Sequence, residues 1–265
     1  MIDYRPGAGV ANIMSVSKGE AALGFSQNIM AKAATLGIEP FKEKQPRVLA
    51  IGTSFGSKVQ IVTLEKTGIN SIRQIIDEKM PVRISVGDRG GATELAIRRC
   101  LKTYGITYDD ITSWGGKVYF KQATEANEMM SVGLLDVQFS SGDCPLAVFK
   151  ELAANNHLKL LPIDEEVIET LTKKYGYTKS YITNEHYDFV TTDSPTFGVL
   201  TTIIVREDLP EEIVYKITKA IGDNLDYFYD VDQNFKAVTQ ETMWQTGINL
   251  HPGAKQYYQE IGVLK

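Results

Sequence analysis

The sequence predicts an α/β protein built as two similar lobes. Three observations carry that expectation. Segments with β-branched, strand-like patterning alternate with helical segments almost throughout, the pattern of largely parallel sheets. A nine-residue stretch recurs without a gap: Gly19-Glu20-Ala21-Ala22-Leu23-Gly24-Phe25-Ser26-Gln27 aligns on Gly133-Leu134-Leu135-Asp136-Val137-Gln138-Phe139-Ser140-Ser141. And 265 residues suffice for two modest cores.

The elements follow in order. Residues 12–18 read as a short helix stopped by Gly19, 21–26 as a strand, and 29–36 as a helix ended by Gly37. Residues 48–52 and 59–64 read as two separate strands. Ser71 caps a helix to about Glu78, with Ile72, Ile75 and Ile76 on one face. A strand at 82–86 leads through Gly87-Asp88-Arg89-Gly90-Gly91 into a helix from about Ala92 to Tyr104. Short strands are expected at 118–120, 135–140 and 158–161, with helices at 123–131, from Pro145 through Ala154, and at 165–175. Residues 199–205 form the longest β-branched run, and 210–229 one long helix, with two further helices to the C-terminus.

Composition narrows the function classes. Hydrophobic residues make up 43% and charged residues 23%, ordinary for a globular protein. The net charge is -5 and no lysine- or arginine-rich run is present, which speaks against nucleic acid as a partner. No apolar run approaches the roughly 18–20 residues that span a bilayer, so membrane insertion is not expected. Cys100 and Cys144 lack metal-ligand spacing and read as free thiols. No metal or cofactor is expected.

Enzyme motifs are missing: there is no Gly-x-Ser-x-Gly elbow, no His-Glu-x-x-His and no cysteine cluster. Asp109-Asp110 and Asp164-Glu165-Glu166 sit at expected helix starts, where acids stabilise the helix dipole.

The most informative stretch is the turn from Gly87 to Thr93. Three glycines let the backbone approach a ligand, and the first amides of the following helix would point outward to an anion. It lacks the Gly-Lys-Ser/Thr of a nucleotide loop and the Gly-x-Gly-x-x-Gly of a dinucleotide fold, so a carboxylate suits it better. Gly90, Gly91, Ala92 and Thr93 are the candidate binding residues there. A second glycine-bearing turn, Gly7-Ala8-Gly9-Val10-Ala11-Asn12, offers Asn12 as a ligand contact or a helix cap. Ser26, Gln27 and Asn28 end one strand of the repeat and Ser140 and Gly142 end the other; Phe55 could supply an apolar wall. Asn28 fits equally well as a helix cap, and Asp143 as a cap for the helix after Pro145.

Taken together these residues resemble the TAXI family of TRAP-transporter solute receptors. The resemblance runs along essentially the whole chain, through Gly9-Val10-Ala11-Asn12, Gly19 to Ser26, Thr67-Gly68-Ile69-Asn70-Ser71-Ile72, Val86 to Glu94, Gly133 to Asp136, Gly142 with Pro145, and Leu250-His251-Pro252-Gly253-Ala254-Lys255-Gln256-Tyr257-Tyr258. It implies a two-lobed, periplasmic-binding-protein-like fold of type II with a ligand cleft between the lobes. Lobe I would comprise residues 1–83 plus 198–265 and lobe II residues 84–197. It implies an extracytoplasmic receptor that closes by a hinge on a small organic anion (an amino acid, keto acid or dicarboxylate) and hands it to TRAP membrane subunits, with no catalysis. Gly91 and Ala92 stand where the family carries serine and glycine, which leaves the ligand's identity open. Family members also carry a leader and a β-α unit of about 30 residues ahead of the segment matching Ile2 to Pro6, so the chain reads as an N-terminally shortened frame without its signal peptide. A transferase-type enzyme or a cytosolic ligand sensor on the same fold are the alternatives.

Overall fold

A computed structural model describes residues 9–265, apart from the side chains at 233 and 237. Gly7, Ala8 and the segment from Ile2 to Pro6 lie outside the described residues. The chain runs α1 (Gly9–Lys18), β1 (Leu23–Gln27), α2 (Asn28–Leu36), β2 (Val48–Leu64), α3 (Ile72–Asp77), β3 (Arg83–Ser85) and α4 (Ala92–Thr103). It continues through α5 (Tyr108–Ser113), β4 (Lys117–Tyr119), α6 (Ala123–Ser131), β5 (Val137–Gly142), α7 (Ala147–Ala153), β6 (Leu158–Leu160) and α8 (Glu165–Tyr175). β7 (Thr178–Ile182), β8 (Ser194–Arg206), α9 (Glu211–Gly222), α10 (Leu225–Val231) and α11 (Pro252–Glu260) complete it. The protein is a mixed α/β fold, as the alternating pattern predicts.

Two compact units emerge. The first holds the described residues up to Gly56, with Tyr175–Tyr177 and Val199–Lys265; the second holds Ser57–Lys174 and Thr178–Gly198. β2 and β8 each carry the chain from one unit into the other. Residues 57–83, expected with lobe I, pair within the second unit, because β2 does not break between residues 52 and 59 as the sequence suggested. It is one strand of 17 residues, and its second half carries β5 and β6. Likewise β8 begins at Ser194, five residues before the β-branched run.

In the first unit β1 lies antiparallel to the end of β8, with Leu23 opposite Val205 and Gln27 opposite Thr201. Successive β8 residues face opposite sides. Ile203 and Val205 pack with Ile51, Val214, Tyr257 and Tyr258, while Ile204 packs with Ile13, Val16, Ala31 and Val48. Helices therefore cover both faces, α9 and α11 on one and α1 and α2 on the other. α9 and α11 approach closely: a Cβ on Gly253 would sit 2.1 Å from the Glu211 carbonyl oxygen. The expected long helix 210–229 divides into α9 and α10, with Asp223 and Asn224 between them. At that break a side chain on Gly222 would strike the Tyr257 ring.

In the second unit β3 sits between β4 and β5, parallel to both, and β5 runs antiparallel to β2. Two β2 side chains clamp the ends of β5. The Thr63 hydroxyl donates to the Asp136 carbonyl (2.7 Å) and the Gln60 amide donates to the Asp143 carbonyl (2.7 Å). β7, which the sequence did not reveal, pairs antiparallel with the start of β8. Val62, Leu64, Met130, Leu135, Phe149, Leu152, Ile182 and Tyr187 form one core.

The repeat seen in the sequence has a structural counterpart. Gly19 and Gly133 both adopt positive φ (79° and 74°), and the strands that follow begin at the aligned positions Leu23 and Val137. Glycine takes that backbone without a Cβ penalty.

Candidate functional site

The carboxyl ends of β3 and β4 lead to two helix starts. α4 begins at Ala92 with Gly91 as its cap residue, and glycine has no side chain to satisfy the first amides. Gly91 itself donates its N–H to the Asp88 carbonyl (2.9 Å), so it is not an open donor as the sequence suggested. The amides of Ala92 and Thr93 have no protein acceptor among the described residues. Gly90 supports the turn with φ of 76°, and Gly87, at φ 83°, has Thr93 3.0 Å from where a Cβ would stand.

α6 starts close by. Its cap residue Gln122 makes no capping bond and instead donates to Asp88 Oδ2 (3.0 Å). Two helix starts without side-chain caps, each carrying partial positive charge, thus meet over one end of the parallel strands. Arg89, exposed within the turn, lays its guanidinium 3.7 Å from the centre of the Phe120 ring. The sequence reading did not single out Arg89 or Gln122; an arginine inside a glycine-rich turn was the available signal. Buried Glu94 brings a negative charge to the first turn of α4, and Arg98 Nε and the Tyr108 hydroxyl both donate to its Oε1 at 3.0 Å.

The other expected residues are placed differently. Asn12 lies inside α1 rather than at its cap and donates to the Phe25 carbonyl (2.8 Å). Ser26, 4% exposed, donates to the Gly9 carbonyl (3.1 Å). Asn28, 2% exposed, uses both ends of its amide: Nδ2 donates to the Gly176 carbonyl (2.8 Å), and Oδ1 accepts from the Leu200 amide (3.1 Å). Gln27 precedes α2 without a capping bond. Phe55, 40% exposed, meets Phe235 edge-on at 5.4 Å. With Phe25, Ile203, Leu225 and Phe228 it lines an apolar cavity of about 320 Å³ in the first unit.

Ser140 is buried and accepts from Gln138 Nε2 (3.2 Å). Gly142 ends β5 opposite Lys58. The larger cavities of the second unit, about 540 and 420 Å³, are lined by residues around Pro162 and Phe189 and around Met80 and Asp136; neither includes the Gly87–Thr93 turn. Cys100 and Cys144 are both free. Among the described residues no cluster of metal-binding side chains occurs, and no helix is long and apolar enough to cross a membrane. The paired acids have structural partners: Asp110 closes a capping box with Thr107, and Asp164 and Glu166 bind Arg73.

The NMT1-like family model matches residues 5–262. The chain belongs to the NMT1-like family. Solved structures agree on the fold. A TctC solute-binding protein from Polaromonas superposes with a TM-score of 0.55 at 15% identity, covering 88% of this chain and 73% of that one. Lower-scoring matches include MatC from Rhodopseudomonas palustris with bound malate (TM-score 0.47, 12% identity, 96% and 83% coverage). PhnD1 from Prochlorococcus marinus in complex with methylphosphonate is another (TM-score 0.46, 16% identity, 89% and 75% coverage). The fold of this NMT1-like chain is thus that of the two-lobed solute-binding proteins.

Proposed function

We propose that this chain is the extracytoplasmic solute-binding receptor of a TRAP transporter of the TAXI type, that it captures a small organic carboxylate, and that it performs no chemistry on it. The NMT1-like membership and the TctC-like fold support a receptor. The TAXI assignment rests on the resemblance of the ordered motifs from Gly9 to Tyr258. The observation that carries the ligand class is the start of α4: a cap residue with no side chain, two amides without an acceptor, and Arg89 in the same turn. Amides of this kind hold a carboxylate without a dedicated cation.

Ala92→Pro tests the site without unfolding it. Proline is favoured at the first helical position, and Gly91 already has the extended backbone (φ -76°, ψ 168°) that a residue before proline adopts. The variant keeps the wild-type melting temperature and deletes one outward amide. In titration calorimetry against whichever amino acid, keto acid or dicarboxylate raises the melting temperature most, we expect at least tenfold weaker binding, about 1.4 kcal/mol. Unchanged affinity excludes the turn.

A further inference from the structure

The first unit carries an apolar cavity that the carboxylate site at α4 does not use. β1 and β8 form its floor. Phe25 stands opposite Ile203 across the antiparallel pair, and Thr201, two residues before Ile203, shares that face. Phe55 of β2, Phe228 of α10 and Phe235 beyond α10 add its walls. Every lining residue belongs to the first unit, so one compact body supplies the whole wall.

The chemistry of that wall selects its guest. No ionisable side chain lines it. Two hydroxyls of β2 are turned to the backbone: Thr53 donates to the Met243 carbonyl (3.2 Å) and Ser54 to the Thr201 carbonyl (3.4 Å). Neither has a proton left for a guest. A charged group would enter without a counter-charge, at a desolvation cost that nothing offsets. The walls offer rings instead. Phe55 meets Phe235 edge-on, at 5.4 Å between centres, and Phe228 lies 5.5 Å from Phe235. Phe25 and Phe55 keep 50% and 40% of their surface exposed, and contiguous exposed apolar surface of this kind marks binding sites. Aromatic rings prefer edge-to-face or offset aromatic neighbours. The volume, about 320 Å³, sets the size. A dry apolar cavity of about 150 Å³ takes up benzene, so this one suits a fused two-ring system.

We propose that this cavity is a binding site for one neutral aromatic ring system of a small molecule, held among Phe25, Phe55, Phe228 and Phe235. It belongs to the unit that does not contain α4, and it stands whether or not the chain binds a carboxylate there.

Indole is the probe, titrated against the full chain and followed by saturation-transfer NMR and by thermal melts. We expect saturable binding and a raised melting temperature in the wild type. Tetramethylammonium, which an aromatic cage would hold through its charge, should bind at least tenfold more weakly. Thr201→Phe places a ring in the cavity from a strand position that suits aromatic residues and should weaken indole at least tenfold. Phe55→Ser removes a part-exposed ring and should weaken indole at least threefold with little change in the melt, which decides the matter even where Thr201→Phe does not fold. Absence of saturable indole binding in the wild type overturns the site. So does an indole affinity that is unchanged in Phe55→Ser or in a folded Thr201→Phe. Equal binding of tetramethylammonium overturns the neutral class. Ala92→Pro, altered in the other unit, keeps the wild-type indole affinity; a tenfold loss there overturns a site confined to the first unit.

Discussion

A buried amide that bonds at both ends tells more about architecture than about ligands. Asn28 joins the backbone at Gly176 to the backbone at Leu200 within the first unit, two segments far apart in sequence. Asn28→Ala leaves the half-buried Gly176 carbonyl and Leu200 N–H without their side-chain partner. At about 1–3 kcal/mol per orphaned group, and at the low end because both groups are half-buried, the loss is about 2 kcal/mol, to be measured by urea unfolding. A loss below 0.5 kcal/mol would show that water replaces the amide. The sequence marked Asn12 in a turn before a helix and Ser26, Asn28 and Ser140 at strand ends; the structure puts Asn12 inside α1, Ser26 in β1, Asn28 at the start of α2 and Ser140 within β5. The sequence could not show what they face. Each bonds to a carbonyl, an amide or a side chain of its own chain, and composition is silent about that geometry. The glycine turn was more legible, because an absent side chain is visible in the sequence and an uncapped helix start follows from it.

Elements were legible where local chemistry decides them. Ser71 caps α3 by accepting from the Gln74 amide (2.9 Å), and Gly37 ends α2 in the left-handed region, both as read from the sequence. The errors fall where distant packing decides. Residues 48–52 and 59–64 read as two strands, yet β2 runs on through Gly52, where a Cβ would approach the Tyr258 hydroxyl to 2.7 Å. The α9–α11 pair makes the same point. Gly253→Ala suits the helical backbone and raises helix propensity, but it pushes a methyl into the Glu211 carbonyl, so α11 must lift from α9. Overpacking of this kind costs about 1–3 kcal/mol. A thermal melt unchanged within 1 °C would show that the helices separate freely.

The α/β class was evident from alternation alone, and the position of the first crossing was not. The family resemblance implies a first crossing at the 83/84 boundary, but the structure keeps β3 wholly inside the second unit. Stability of the whole chain has a legible acid limb. Burial first, and then Lys58, holds the His186 imidazole below its ordinary value of 6.5. The unfolded chain therefore takes up a proton near pH 6.5 that the folded chain refuses. Stability from this group is complete above that pH and is lost as the solution is acidified toward the folded value. Replacing His186 with glutamine should reduce the fall of the urea midpoint between pH 7 and pH 5. An identical fall in both proteins would show that His186 titrates normally.

The bonds from Thr63 and Gln60 to the two ends of β5 have a consequence for how this sheet can go wrong. A strand that slides by two residues keeps its oily side inward, so hydrophobicity alone would tolerate the shift. Here such a slide moves the Asp136 and Asp143 carbonyls away from Thr63 and Gln60 together, while the contacts of these side chains with Thr67 and Tyr187 stay behind. The pair works as a two-mark ruler that favours the native register.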